Sequence, residues 1–159
     1  MKIRKMKIND YESVQKLQHQ AYVLHSNARP DLYIKNANSF NFEYFVEQLN
    51  SKSTINLVYE ENKEIVGILL AQYKKQSKVP FVRKRNVIFI DSVVVEKNYH
   101  KMGIGRRMME YLEHIAKKKK VESIELNVYS FNKDAQKFYK ALGMSEKSSI
   151  YEKKLRNID

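Results

Sequence analysis

The segment Val93-Val94-Val95-Glu96-Lys97-Asn98-Tyr99-His100-Lys101-Met102-Gly103-Ile104-Gly105-Arg106-Arg107-Met108 carries the strongest chemical pattern in the chain. A β-branched apolar run leads through a short polar loop into a helix that opens with two of the chain's 4 glycines. The free N–H groups of a helix start converge, its dipole adds positive potential, and glycine lets an anion approach the backbone, so the spacing describes an anion site. A tight strand-to-helix turn that needs glycine for positive φ produces the same spacing without a ligand. The Gly-Lys-Ser/Thr ending of a P-loop is missing, and Met108 stands where a dinucleotide fingerprint has its third glycine. A diphosphate-bearing ligand of another kind is what remains.

Three further side chains could move protons. Asp91 interrupts the apolar run Val87 to Val95, and a carboxylate inside a buried strand is costly unless it is paired or used as a base. Strict alternation puts it on the face of Val93 and Val95. A hydrogen-bonded or water-linked structural carboxylate is the competing reading. Glu125, on the neighbouring strand, is the second candidate base. Tyr139, beside Phe138 and near Leu142, is either a packed helix face or a phenolic donor.

The elements that must position these groups follow from periodicity. Ile3 to Ile8 read as an edge strand, and Asn9 or Asp10 caps a helix bearing Tyr11, Val14, Leu17, Ala21, Tyr22 and Leu24. Turn formers fill His25 to Asn41, followed by a short helix with Phe42, Phe45, Val46 and Leu49 on one face. Thr54 to Tyr59 and Ile65 to Tyr73 form a hairpin, and Val87 to Val95 is a central strand. The stripe Ile104, Met108, Leu112, Ile115 marks a helix, and Lys117 to Lys120 suit its negative C-terminal end. Val121 to Tyr129 alternate as a strand, Asn132 to Leu142 make a helix stopped by Gly143, and Ser149 to Leu155 form a last strand. The order β-α-α-β-β-β-α-β-α-β describes one α/β domain over residues 1–159, without repeat or linker, with a mixed central sheet flanked by helices.

Composition narrows the function. The 159 residues contain no cysteine, which excludes thiol chemistry, iron–sulfur clusters and Cys-type zinc sites; no metal site is expected. The start MKIRKMKIND lacks the apolar stretch of a secretory signal, and no segment is apolar enough to span a bilayer. A soluble cytoplasmic protein is expected. The 30 Lys+Arg against 18 Asp+Glu give +12, a field that steers polyanions, but the predominance of lysine favours solvated faces over base readout.

The run His100-Lys101-Met102-Gly103-Ile104-Gly105 resembles the Gln/Arg-x-x-Gly-x-Gly/Ala motif of the GNAT superfamily of acetyl-CoA-dependent N-acetyltransferases. Glu125-Leu126-Asn127-Val128-Tyr129, followed by Asn132, Ala135, Phe138, Tyr139, Gly143 and Met144, is similar to that family's next strand and helix. The resemblance runs from about Ile3 to Leu155 and is dense between Ile90 and Met144. It implies the acyl-CoA N-acyltransferase fold, with a mostly antiparallel sheet. It also implies acetyl-CoA as cosubstrate, its diphosphate on the amides of His100, Lys101, Met102, Gly103, Ile104, Gly105 and Arg106 and its pantetheine arm along Val93, Val94 and Val95. An amide near Val94 would stabilise the oxyanion. By the same likeness Asn132 contacts the coenzyme and Tyr139 lies beside its sulfur. His100 departs from the family's Gln or Arg, which a site built on backbone donors tolerates.

The expected activity is acetyl transfer to a primary amine of a small molecule or protein by direct attack in a ternary complex, with Tyr139 as acid and Asp91 as base. The acceptor side falls on the loop after the first helix, where His25, Arg29, Asp31 and Tyr33 suit recognition of an amine-bearing molecule. The high positive charge disfavours a highly cationic acceptor. A homodimer is an expectation from the family likeness. The alternatives are a protein that binds acyl-CoA without turnover and, ranked below it, a basic nucleic-acid-binding module.

Overall fold

Asn62 and Lys63 both take positive φ, 49° and 67°. This is the backbone of a two-residue hairpin turn whose twist matches its strands. It joins β2 (Thr54–Glu61) to β3 (Glu64–Tyr73), a tighter connection than the five polar residues of the sequence suggest. A computed structural model describes residues 2–156. In it, β1 (Lys2–Lys5), β2, β3, β4 (Val87–Val95) and β5 (Ser123–Leu126) lie side by side in that order. All neighbours are antiparallel except β4 and β5, which are parallel. The expected mixed, mostly antiparallel sheet is therefore present.

Helices α1 (Tyr11–Ala28) and α2 (Phe42–Asn50) cover one face, where Val14, Leu17 and Phe45 pack against Val58, Ile68 and Leu70. The long stripe of α3 (Ile104–Lys118), with α4 (Lys133–Ala141), covers the other. There Met108, Met109 and Leu112 pack on Leu57, Tyr59, Leu69 and Ile88. Gly67 of β3 permits this closeness: a Cβ there would stand 3.1 Å from Met108 Sδ and 3.2 Å from Ile104 Cγ2. The N-terminal end of α3 is thus seated directly on the sheet.

Several elements differ from the sequence reading: β1 ends at Lys5 rather than Ile8, and α1 runs to Ala28, through His25 and the first residues expected in the loop. Strand β5 is four residues long, because beyond Leu126 it has no partner on β4. Ser149 to Leu155 forms no strand. Its charged residues pair with the loop after α1 instead, Glu152 with Arg29 and Lys154 with Asp31, while Ile150 and Tyr151 are 94% exposed. Alternation alone does not supply a sheet edge to pair with. Leu24 and Phe42, expected on apolar helix faces, are largely exposed.

Candidate active site

Pairing between β4 and β5 stops at Ile90–Leu126, and β4 continues alone on that side to Val95. Its other side remains paired with β3 through Gly67–Val95. In an antiparallel ladder successive residues alternate between facing the partner and facing away. The Glu96 N–H donates to the Val66 carbonyl at 2.8 Å, so Val94 turns toward β3 and the backbone groups of Val93 and Val95 turn toward the opening. The Val95 carbonyl is taken by Gln20 Nε2 at 2.9 Å and by His100 Nε2 at 2.8 Å. The amides of Val93 and Val95, more than that of Val94, are the donors offered to a guest strand.

The position of Asp91 corrects the alternation argument. Leu70 pairs with Ser92 and the next residue, Ala71, with Ile90, so Asp91 is the unpaired extra residue of a β-bulge. The bulge reverses the parity of the strand. Val93 and Val95 pack with the α3–α4 core, whereas Asp91 faces the α1–α2 side. There it accepts two hydrogen bonds from Gln72 Nε2, at 2.9 and 3.0 Å. Partial desolvation raises the pKa of the carboxyl, a rise the Gln72 donor only partly offsets, and the carboxylate in turn raises that of the Tyr44 phenol on α2. Solvent still reaches it. Glu125 has the opposite environment. Lys147 Nζ at 2.6 Å, with Lys74 and Arg85 each at 3.5 Å, holds its pKa below the usual value, which makes it a poor base.

Past the open edge, a 3₁₀ turn (Lys97–Tyr99) leads into the glycine turn expected to bind an anion. Gly103 has φ 78° and caps α3, a conformation in which any side chain would be strained. The first bond closed by the helix runs from Arg107 N–H to the Gly103 carbonyl at 3.1 Å. The N–H groups of Ile104, Gly105 and Arg106 consequently have no acceptor among the described residues. The His100 N–H does not join them, since it points to the Lys97 carbonyl. Gly105 answers a packing need: a Cβ there would lie 3.0 Å from Phe138 Cζ of α4. Arg107, which sequence reasoning passed over, fixes the loop by donating to the Met102 carbonyl at 2.9 Å and to Tyr59 Oη at 3.1 Å.

Tyr139 packs in the same core as Val93 and Val95, on the face opposite Asp91. Burial pushes its phenol up to about 12. Its hydroxyl hydrogen-bonds to no described residue, and it is not among the fully enclosed unpartnered atoms, so solvent reaches it. Asn132 caps α4, accepting the Ala135 N–H on Oδ1 at 3.2 Å. The coenzyme contact expected of it would fall to the remaining Nδ2.

The four residues expected on the acceptor side separate into two pairs. Arg29 and Asp31 form a two-pronged ion pair at 2.9 and 2.7 Å, and both also hold the C-terminal segment. Their charges are spent on structure. His25 and Tyr33 instead join Tyr129 and Phe131, two residues sequence reasoning did not single out. The His25 ring stands 5.6 to 5.8 Å from each of these three rings, with Nδ1–H donating to the Ala21 carbonyl at 2.7 Å. Helix α1 thus runs from Gln18 against Ser92 and Gln20 against Val95, on β4, to His25 against the loop after β5. It roofs the opening on the Asp91 side.

The sheet thus parts beside the N-terminus of α3, with the Tyr139 phenol on one of its faces and the Asp91 carboxylate on the other. The chain belongs to the Acetyltransferase (GNAT) family, which matches residues 13–144. Among solved structures it is similar to a mutant of the BH1408 protein from Bacillus halodurans, at 28% identity and TM-score 0.95, covering 98% of this chain and 100% of that one. It is also similar to the aminoglycoside 6'-N-acetyltransferase AAC(6')-IG from Acinetobacter haemolyticus, at 14% identity and TM-score 0.75, covering 100% of both chains. A third, AAC(6')-Iy solved with the bisubstrate analog CoA-S-monomethyl-acetylneamine, aligns at 16% identity and TM-score 0.75 over 98% of each chain. No curated protein matches the chain. Among the described residues no helix is long and apolar enough to cross a membrane.

Proposed function

We propose that this protein transfers an acetyl group from acetyl-CoA to a primary amine by direct attack in a ternary complex. The observation that carries the reading is the parted β4 edge, open between Asp91 on one face and Tyr139 on the other, with the unpaired N–H groups of α3 just beyond it. Acetyl-CoA supplies a thioester whose diphosphate suits those N–H groups and whose amide-bearing arm suits Val93 and Val95. An amide of that pair polarises the reacting carbonyl.

The proton steps fall to the two faces. An amine of pKa about 10.4 is neutral in roughly one molecule in a few thousand at pH 7, so its deprotonation is worth about 4 to 5 kcal/mol. Asp91, or a water it orders, takes that proton, and its raised pKa makes it a better base than an ordinary carboxylate. Tyr139 faces the leaving sulfur. A phenol at about 12 is a weaker acid than a thiol near 8.5, so Tyr139 stabilises the departing thiolate by a hydrogen bond rather than by giving up its proton. A cytoplasmic setting accords with the cysteine-free sequence.

The direct test follows coenzyme thiol with a disulfide reagent while the protein meets acetyl-CoA and a panel of amines. Because the chain has no cysteine, every thiol detected comes from the coenzyme. Amine-dependent release is the expected result. Thermal stabilisation by acetyl-CoA without release from any amine would replace this reading with coenzyme binding alone.

A further inference from the structure

At the other end of β4 lies a second cavity of about 280 Å³, lined by Lys74, Lys75, Arg83, Arg85 and Lys147 around the single carboxylate of Glu125. Five cations face one anion. Lys74, Arg85 and Lys147 all reach Glu125, and Lys75 and Arg83 hydrogen-bond to no described side chain. Like charges gathered this way repel one another unless an anion sits among them. Arg85 also meets Glu122, just outside the cavity, at 3.8 Å, so five cations less two carboxylates leave a surplus of three positive charges.

This cavity is not the coenzyme's. It includes Val87, the first residue of β4, whereas the glycine turn follows Val95, the last. Nine strand residues separate the two by about 26 Å. It does share a face with Asp91. Gln72 and Lys74 project from the same side of the chain running out of β3, the first to Asp91 and the second to Glu125. On β4, Phe89 lies under Lys74 Nζ at 5.5 Å and in register with Glu125, two residues from Asp91. Two strand residues span about 7 Å.

We infer that this basic cavity binds an acid group of the acceptor, so that the acceptor is a small primary amine carrying a phosphate or carboxylate a few bonds from the nitrogen. The inference rests on the transferase reading above and adds the substrate class. With the acid held among the lysines and arginines, the amine reaches toward Asp91 and the parted edge of the sheet. The carboxylates Asp31 and Glu152, which could have held a polycationic acceptor, are instead occupied by Arg29 and Lys154.

Two measurements test it separately. The first is equilibrium titration of the protein with O-phosphoethanolamine, β-alanine and ethanolamine in the absence of acetyl-CoA. Saturable binding of one or both acid-bearing amines, displaced by inorganic phosphate and weakened at least tenfold in a Lys75→Gln/Arg83→Gln variant, is expected; ethanolamine binding as tightly overturns the inference. The second is thiol release with the same three amines. Here the variant raises KM for the acid-bearing acceptor about tenfold and leaves kcat, the KM for ethanolamine and the acetyl-CoA thermal shift unchanged. A KM that rises equally for ethanolamine, or does not rise, overturns the assignment. Binding in the first experiment without release in the second would retain the anion site and reject the transferase reading, so the two failures are distinguishable.

Discussion

At the scale of single residues, desolvation acts on both groups proposed to handle protons, strongly on Tyr139 and only partly on Asp91. Tyr139 is kept protonated at every physiological pH, so its role reduces to one hydroxyl hydrogen. Tyr139→Phe removes only that. Because no described residue bonds to the hydroxyl, the variant should unfold at the wild-type temperature while kcat falls about 10- to 100-fold, the range of a lost donor to a developing anion. A matching loss of stability would show a packing role instead. Asp91 carries the pH dependence. Its pKa is raised in the folded protein, so the folded state favours the protonated carboxyl, and this group's contribution to stability declines as pH rises through that pKa. At neutral pH its charge therefore burdens the fold, which is the cost of the base role proposed for it. Asp91→Asn keeps an acceptor for Gln72 and should melt no lower than wild type at pH 7, yet lose about 10²- to 10⁴-fold in kcat/KM. The wild-type profile of kcat/KM against pH should show an acid limb above the ordinary aspartate range, with Tyr44 facing the carboxyl from α2 and Gln72 from β3, and the variant should lack it.

At the scale of elements, the glycines show how local geometry and site are coupled. Gly105→Ala brings a Cβ to 3.0 Å from Phe138 Cζ, forcing α3 and α4 apart or Phe138 out of place. Overpacking of this kind costs about 1 to 3 kcal/mol, and a thermal or denaturant melt of the variant should show it. Combining it with Phe138→Leu, which withdraws the ring, should recover most of the loss in a double-mutant cycle. The same scale shows what sequence can and cannot disclose. Strand β4, helix α3 and the glycine turn that opens it were legible because each depends on periodicity, capping and glycine placement within a few residues. The face of Asp91 was not, since the bulge that turns it is a property of the β3–β4 pairing and leaves no mark on β4 itself. The same holds for Glu125, whose partners come from the end of β3, the β3–β4 connection and the chain after α4. Arg29 and Asp31 read as recognition residues until the ion pairs with Glu152 and Lys154 supply their structural use. Tyr129 read only as the end of a strand and Phe131 as part of the loop after it, because they acquire meaning only when α1 brings His25 against them.

At the scale of the whole molecule, the surplus of twelve positive charges acts on any ligand before it touches a particular atom. Acetyl-CoA is polyanionic, so the protein's field should speed its encounter, and that contribution must fade as salt shortens the Debye length to about 8 Å at physiological ionic strength. We expect kcat/KM for acetyl-CoA to fall about 3- to 10-fold between low and physiological salt, with kcat nearly constant because chemistry at the parted strand is local. The control is the acetyl thioester of N-acetylcysteamine, which has the reactive end of the coenzyme without its phosphates. Its kcat/KM should be flat over the same range with a neutral acceptor amine. If both donors respond alike, salt is acting on the acceptor or on the fold. If neither responds, the charge is too dispersed to steer, and affinity for the coenzyme rests on the N–H groups of Ile104, Gly105 and Arg106 and the open edge at Val93 and Val95.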